Sequence, residues 1–513
     1  MKFALLIHLF FVAVATATFS NPIIWEDFAD LDIFRVEDTF YYSASNMHYS
    51  PGAPILRSKN LVEWEMAGHS VPELAFGSGY YLDGGQAYIQ GTWASSLRYR
   101  PSTSTYYWIG CIDFSKTYIY TASAVDGKWT QAAVINSCYY DVGLLVAAND
   151  TMYAAYGSSN IYVSELSSDG LREVASKVVY ESDVGYIEGS RFYEKDGNFY
   201  ILTVKPGSPS SEYVLKSTTG PWGPYTIQEL FTDAGNPVPG CGNPHQGGIV
   251  DTPNGDWYFM AFVDAYPGGR IPVLAPLQWD SDGWPSVNLV DGSWSTTYDT
   301  PNIAASSTTS SFQADSTDNF SGPTLDAQWE WNHNPDNSKW SIDSGLTLQV
   351  ASVTNDLYSA KNTLTHRIRG PKSSATIQFS TSSIKAGGRA GLALLRDSSA
   401  WIGIVNDDGD THIGVTTGLQ MDSDWNTIST GEEIASVGFS GDQVWLRATA
   451  DIQPTVATGQ FAYSLDGVTF TDLGGDYSLN ATWEFFMGYR YGIFNFATTA
   501  LEGSITVSQF VLS

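Results

Sequence analysis

The sequence predicts an all-β chain of two domains, a five-bladed β-propeller followed by a two-sheet sandwich. Three observations carry this. Short aromatic and β-branched runs, punctuated by turn dipeptides, fill residues 21–295 without a long amphipathic helical period. Within them a weak repeat (polar start, strand, turn, aromatic strand) begins near Asp30, Trp93, Asp141, Glu188 and His245, roughly 50 to 60 residues apart, the range of propeller blades. A Ser/Thr-rich stretch then separates this region from a second strand-rich one.

Taken in order, Lys2, the apolar run Phe3 to Val14 and Ala15-Thr16-Ala17 read as a signal peptide over residues 1–17, too short to span a membrane. A secreted, extracellular protein is expected. The sequons at Asn149, Asn319 and Asn480 suit that route. Residues 18–300 form the expected propeller. Its hairpin turns are marked by Asp126-Gly127, Asp196-Gly197, Asn254-Gly255 and Asp282-Gly283. Residues 301–316 read as a linker. Residues 317–513 carry strand runs such as Gly391 to Leu395 and Val444 to Ala448, about the length of a sandwich. Trp483 to Phe496 is too aromatic to be exposed throughout, so part is expected in the core and part against the first domain. At 513 residues the chain is too long for one ordinary core.

The net charge of −29 excludes nucleic acid and anionic membranes as partners, while a neutral substrate meets no such barrier. Seventeen Trp and 30 Tyr offer flat faces that suit sugar rings as well as β-surfaces. Of three cysteines, Cys111 and Cys138 are close enough in sequence to bridge neighbouring strands, leaving Cys241 free. No zinc-type ligand spacing occurs. The turn Asn406 to Asp410 could hold calcium, but such runs are more often solvated turns.

The chemistry concentrates in Trp25 to Ser45, where Glu26, Asp27, Asp30 and Asp32 precede a short strand. Unpaired carboxylates are costly to bury, so they either stay in water or have a task. In a propeller the innermost strands line one channel, which brings Asp30, Asp141, Glu188 and His245 towards one spot. Two carboxyl groups across a pocket can hydrolyse a glycosidic bond, and a third nearby raises the acid's pKa. The residues alone do not choose Asp30 over Asp27 or Asp32. By strand alternation Asp30 and Asp32 should share a face.

NPIIWEDFADLDIFRVEDTFYYSAS, CYYDVGLLVAANDTMYAAYG and IEGSRFYEKDGNFYIL together resemble the three acidic motifs of glycoside hydrolase family 43. Across both domains, SPGAPILRSKNLVEWEMAGHSVP, GTWASSLRYR, WEWNHNPD and YRYGIFNFA resemble fungal arabinoxylan arabinofuranosidases of that family. The resemblance implies a propeller followed by a concanavalin-like β-sandwich. It assigns Asp30 as general base, Glu188 as general acid and Asp141 as the carboxylate that tunes the acid. It further points to Trp93, His245 and Arg270 as substrate-binding residues, and leaves Asn46, Tyr139 and Tyr140 as weaker pocket candidates. It implies no required cofactor, allows a structural calcium, and leaves any metal ligand unknown. The function implied is a secreted, monomeric, inverting α-L-arabinofuranosidase acting on arabinoxylan. A β-xylosidase of the same family and a non-catalytic carbohydrate-binding protein are the alternatives. The sandwich could bind polysaccharide, complete one wall of the site or stabilise the propeller.

Overall fold

The structure, a computed structural model, describes residues 17–303, 312, 315–407 and 409–513. The leader reading apart from Ala17, most of the linker and Asp408 of the acidic turn lie outside the described residues. No described helix is long and apolar enough to cross a membrane.

Five four-stranded antiparallel sheets form the blades. Their first strands are Ala29–Val36, Thr92–Arg100, Gly143–Val146, Glu188–Lys195 and His245–Asp251. Each first strand packs against those of the blades before and after it, closing a ring of five. The five repeat starts read from sequence therefore fall within, at or no more than two residues before the ring strands. The dipeptide turns connect strands as expected. Asp196 and Gly197, both at positive φ, join Glu188–Lys195 to Asn198–Lys205 as a two-residue hairpin. Thr18–Ser20 pairs with Thr297–Asp299, tying the start of the described propeller to its end.

The ring strands do not begin as regular strands. Pairing slips between Ala29 and Asp32, Thr92 and Ser95, Glu188 and Arg191, and His245 and Gly248. These bulges re-aim the side chains at the strand mouths. Asp30 sits at φ 54°, Gly189 at 74° and Gln246 at 48°.

The second domain packs a nine-stranded sheet on an eight-stranded one around an apolar core that includes Leu346, Ile377, Ile402, Leu446 and Ile493. The edge strand of the eight-stranded sheet comes from the propeller: Tyr49–Ser50 pairs antiparallel with Glu330–Asn332. A mixed cluster with Met47, Tyr49 and Tyr88 on one side and Tyr358, Phe485 and Phe494 on the other seals the junction. Beneath it the buried Glu330 receives Arg490, Arg367 at 3.0 Å and His69 of the propeller at 2.8 Å. The two domains thus share a sheet and a buried ionic cluster.

Cys111 and Cys138 form a disulfide, and Cys241 is free. The bridge runs from a blade strand to the segment after Thr130–Ile135, not between neighbouring strands.

Candidate active site

The acidic stretch at the start of the first blade is almost entirely buried, and each carboxylate has its own environment. Asp32 points into the ring, where it receives Arg98, Ser96 and the Leu97 N–H. Asp27 accepts the backbone N–H of Arg270 at 2.8 Å and of Gly488 at 2.9 Å. Burial pushes the Glu26 carboxyl up to about 8, against the opposing effect of Arg367, Arg369 and Arg490. Asp30 faces elsewhere. Its two oxygens take the forked guanidinium of Arg270 at 2.7 and 3.0 Å, and Ser45 Oγ donates to Oδ2 at 2.7 Å. The shared face expected for Asp30 and Asp32 is thus not observed. The bulge between Ala29 and Asp32 breaks the alternation and turns Asp30 away.

Asp141 precedes the third ring strand and accepts the Gly189 N–H at 3.1 Å, beside Glu188. Burial, then the charges of Glu188 and Asp30, push the Asp141 carboxyl up to about 8, while Arg191 and the Gly189 N–H act against this. Asp141 therefore senses the charges of both other carboxylates. Glu188 receives two phenols on one oxygen, Tyr140 and Tyr186, each at 2.7 Å.

Arg191 holds this cluster from behind. Fully buried, it donates to the carbonyls of Leu31 and Asp30, both at 2.6 Å, and of Val142 at 3.4 Å. It thereby joins the backbone beside Asp30, Asp141 and Glu188.

Beside Glu188 and Arg270 opens a cleft of about 770 Å³ whose lining includes His245, Gln246, Asp264 and, from the sandwich, Trp483 and Phe486. Asp30 and Asp141 do not line it directly; they are tied to it through Arg270 and the Glu188–Gly189 backbone. The Phe486 carbonyl accepts from Arg270 Nε at 3.1 Å and from the Tyr266 hydroxyl at 3.2 Å. The second domain thus forms one wall.

Of the expected substrate-binding residues, Arg270 and His245 reach the cleft, with His245 Nδ1 2.9 Å from the Asn243 carbonyl. Trp93 does not line it. Its indole N–H bonds the Ile89 carbonyl and its ring backs Phe486 edge-on at 4.9 Å. Asn46 is a loop organiser, accepting from Ala53 N–H and Thr92 Oγ1. Tyr139 stacks on Tyr156 in the core, whereas Tyr140 is in the site. Among the described residues no group of three or more His, Cys, Asp or Glu is arranged to hold a metal ion. Sequence reasoning missed Tyr186, Arg191, Trp483 and Phe486 as site residues. Tyr186 carried a local signal, two residues ahead of Glu188, and the aromatic density around Trp483 and Phe486 pointed only to burial.

The family model for glycosyl hydrolases family 43 matches residues 19–285, and that for the β-xylosidase C-terminal concanavalin A-like domain matches residues 317–512. A β-xylosidase of Formosa agariphila is 26% identical over 96% of this chain and 90% of its own. A non-reducing end α-L-arabinofuranosidase of Bacteroides ovatus is 30% identical over 64% of each chain. Among solved structures, a GH43 glycoside hydrolase engineered at its active site, displaying both endo-xylanase and exo-arabinofuranosidase activity, is 43% identical. It superposes with a TM-score of 0.94 over 97% of this chain and 100% of its own.

Proposed function

Since the chain belongs to glycosyl hydrolase family 43 and is a glycoside hydrolase of that family, we propose that it removes α-L-arabinofuranosyl side chains from arabinoxylan by inverting single displacement. The observation that carries the hydrolytic reading is the convergence of Asp30, Asp141 and Glu188, each with a different set of partners. The choice of sugar draws support from the 43% identity to an enzyme with exo-arabinofuranosidase activity.

In this reading Glu188 gives its proton to the glycosidic oxygen as the bond to the sugar breaks. Asp30 takes a proton from the attacking water. A carboxylate offers about four lone-pair sites. Arg270 and Ser45 occupy three on Asp30, one on Oδ1 and two on Oδ2. The site left is on Oδ1, which is where the water would be held. Asp141 lies beside Glu188, and the repulsion between their charges disfavours ionising both, so a proton is retained at this pair near neutral pH. Arg270 neutralises Asp30 and, with its Nε held by Phe486, fixes its orientation.

The second reading is β-xylosidase action, favoured by the name of the Formosa agariphila relative. Chromatography of products from arabinoxylan and from linear xylo-oligosaccharides separates the two. Arabinose from the polymer with intact xylo-oligosaccharides is expected, and xylose from the oligosaccharides would move the assignment. Secretion and a monomeric state belong to the same proposal, tested by the mature N-terminus in culture medium and by light scattering.

A further inference from the structure

Glu188 is held in an unusual way. Tyr140 arrives from the segment before the third ring strand and Tyr186 from the segment before the fourth, and both hydroxyls reach Oε2 at 2.7 Å. Among the described residues none donates to Oε1. A carboxyl oxygen has two acceptor sites. Two phenol donors fill both sites of Oε2, so a proton on Glu188 must reside on Oε1. We propose that Tyr140 and Tyr186 are positioning residues that fix the transferable proton on Oε1 of Glu188 and stabilise the carboxylate left after transfer. This rests on the reading of Glu188 as general acid.

The step balances. The Oε1 proton passes to the glycosidic oxygen, which keeps the electron pair of the breaking C–O bond; the water oxygen bonds to the sugar carbon as Asp30 takes its proton, and Glu188 is left negative. Hydrogen bonds to a charged acceptor are roughly twice as strong as to a neutral one, so both phenol bonds strengthen as the charge develops. That is stabilisation specific to the transition state. Both phenols are donors at working pH. Burial, then Asp141 and Glu188, push the Tyr140 phenol far above its ordinary range, and burial raises that of Tyr186. Tyr186 is 47% exposed, so loss of its hydroxyl leaves the fold little changed. The other charges around Glu188 are Asp141, Asp30 with its partner Arg270, Arg191, and, along the cleft, Asp233, His245 and Asp264.

The test compares Tyr140→Phe, Tyr186→Phe and the double variant on arabinoxylan, with a poor alkoxide leaving group, and on an aryl arabinofuranoside, with a good phenolate one. Each single variant should lose roughly 10- to 100-fold in kcat on arabinoxylan and far less on the aryl substrate, with KM little moved. The alkaline limb of kcat/KM should move to higher pH, because donors that favour the carboxylate are gone. Equal losses on both substrates, or none, would overturn the proposal. Glu188→Ala is the control. If it loses activity equally on both substrates, the acid assignment itself falls and the proposal with it. If it discriminates while the tyrosine variants do not, only the role of the tyrosines falls.

Discussion

Arg270→Met tests the ion pair at the heart of the site. In the wild type the Arg270 guanidinium grips both oxygens of Asp30 at 2.7 and 3.0 Å, and both side chains are buried. Methionine fills much of the volume but leaves Asp30 with only the Ser45 hydroxyl as a side-chain donor. Breaking a buried pair by removing one partner costs about 3–5 kcal/mol, because the remaining charge is uncompensated. Lesser contacts also go: the Nε bond to the Phe486 carbonyl and the guanidinium's position over the rings of Phe262 at 5.2 Å and Phe486 at 5.7 Å. Asp30→Asn removes the charge from the other side, so the two losses should overlap. The assay is a double-mutant cycle by denaturant unfolding of the wild type, Arg270→Met, Asp30→Asn and the double variant. A coupling energy of about 2–3 kcal/mol is expected between the two positions, with the double variant more stable than Arg270→Met alone. Activity should fall by about 10²–10⁴ in each single variant, the usual contribution of a general base. Additive stabilities within about 0.5 kcal/mol would show that Arg270 does not neutralise Asp30, and would refute the account of the base.

Two further outcomes follow from burial and from the junction. The Glu212 carboxyl is pushed up to about 8, chiefly by burial, from 4.5. A folded value above the unfolded one means stability that is full below pH 4.5 and is lost as pH rises through about 8, on the order of a few kcal/mol. Glu212→Gln should flatten this fall in unfolding free energy, and an unchanged slope would remove Glu212 as its source. Asp27→Asn can keep only one of the two bonds to the Arg270 and Gly488 N–H groups. It should cost about 1–3 kcal/mol and lower kcat/KM, since Arg270 and the loop carrying Phe486 and Gly488 are held by the same carboxylate; unchanged kinetics at lower stability would reduce the sandwich to a buttress.

The ring was legible because units of strand, turn and aromatic strand recur at blade spacing, and Asp30, Asp141 and Glu188 lie at or near their starts. What alternation could not convey is the bulge. From sequence, Asp30 and Asp32 belong on one face; at φ 54° Asp30 swings to Arg270 while Asp32 enters the ring to meet Arg98. Contributions from distant sequence were also hidden. Trp483 and Phe486 reach the cleft from almost 300 residues beyond Glu188, and only the aromatic density of their segment hinted at burial. Within that segment Tyr491 and Ile493 are in the sandwich core while Phe485 and Phe486 pack against the first domain, so the expected division is observed. Tyr49–Ser50, as a two-residue strand, has no periodicity to read. Arg191 looks like any charged strand residue until the ring closes around it, when the carbonyls of Asp30, Leu31 and Val142 become its partners beside that of Ser190.

The most direct test of the three-carboxylate account is proton NMR of the first minutes of arabinoxylan digestion. Single displacement by water held at Asp30 predicts arabinose appearing first as the β-anomer, with the α-form growing in only by mutarotation and the xylan backbone uncut. Arabinose appearing first as the α-anomer would mean a covalent intermediate, and would contradict the assignment of Asp30 as base.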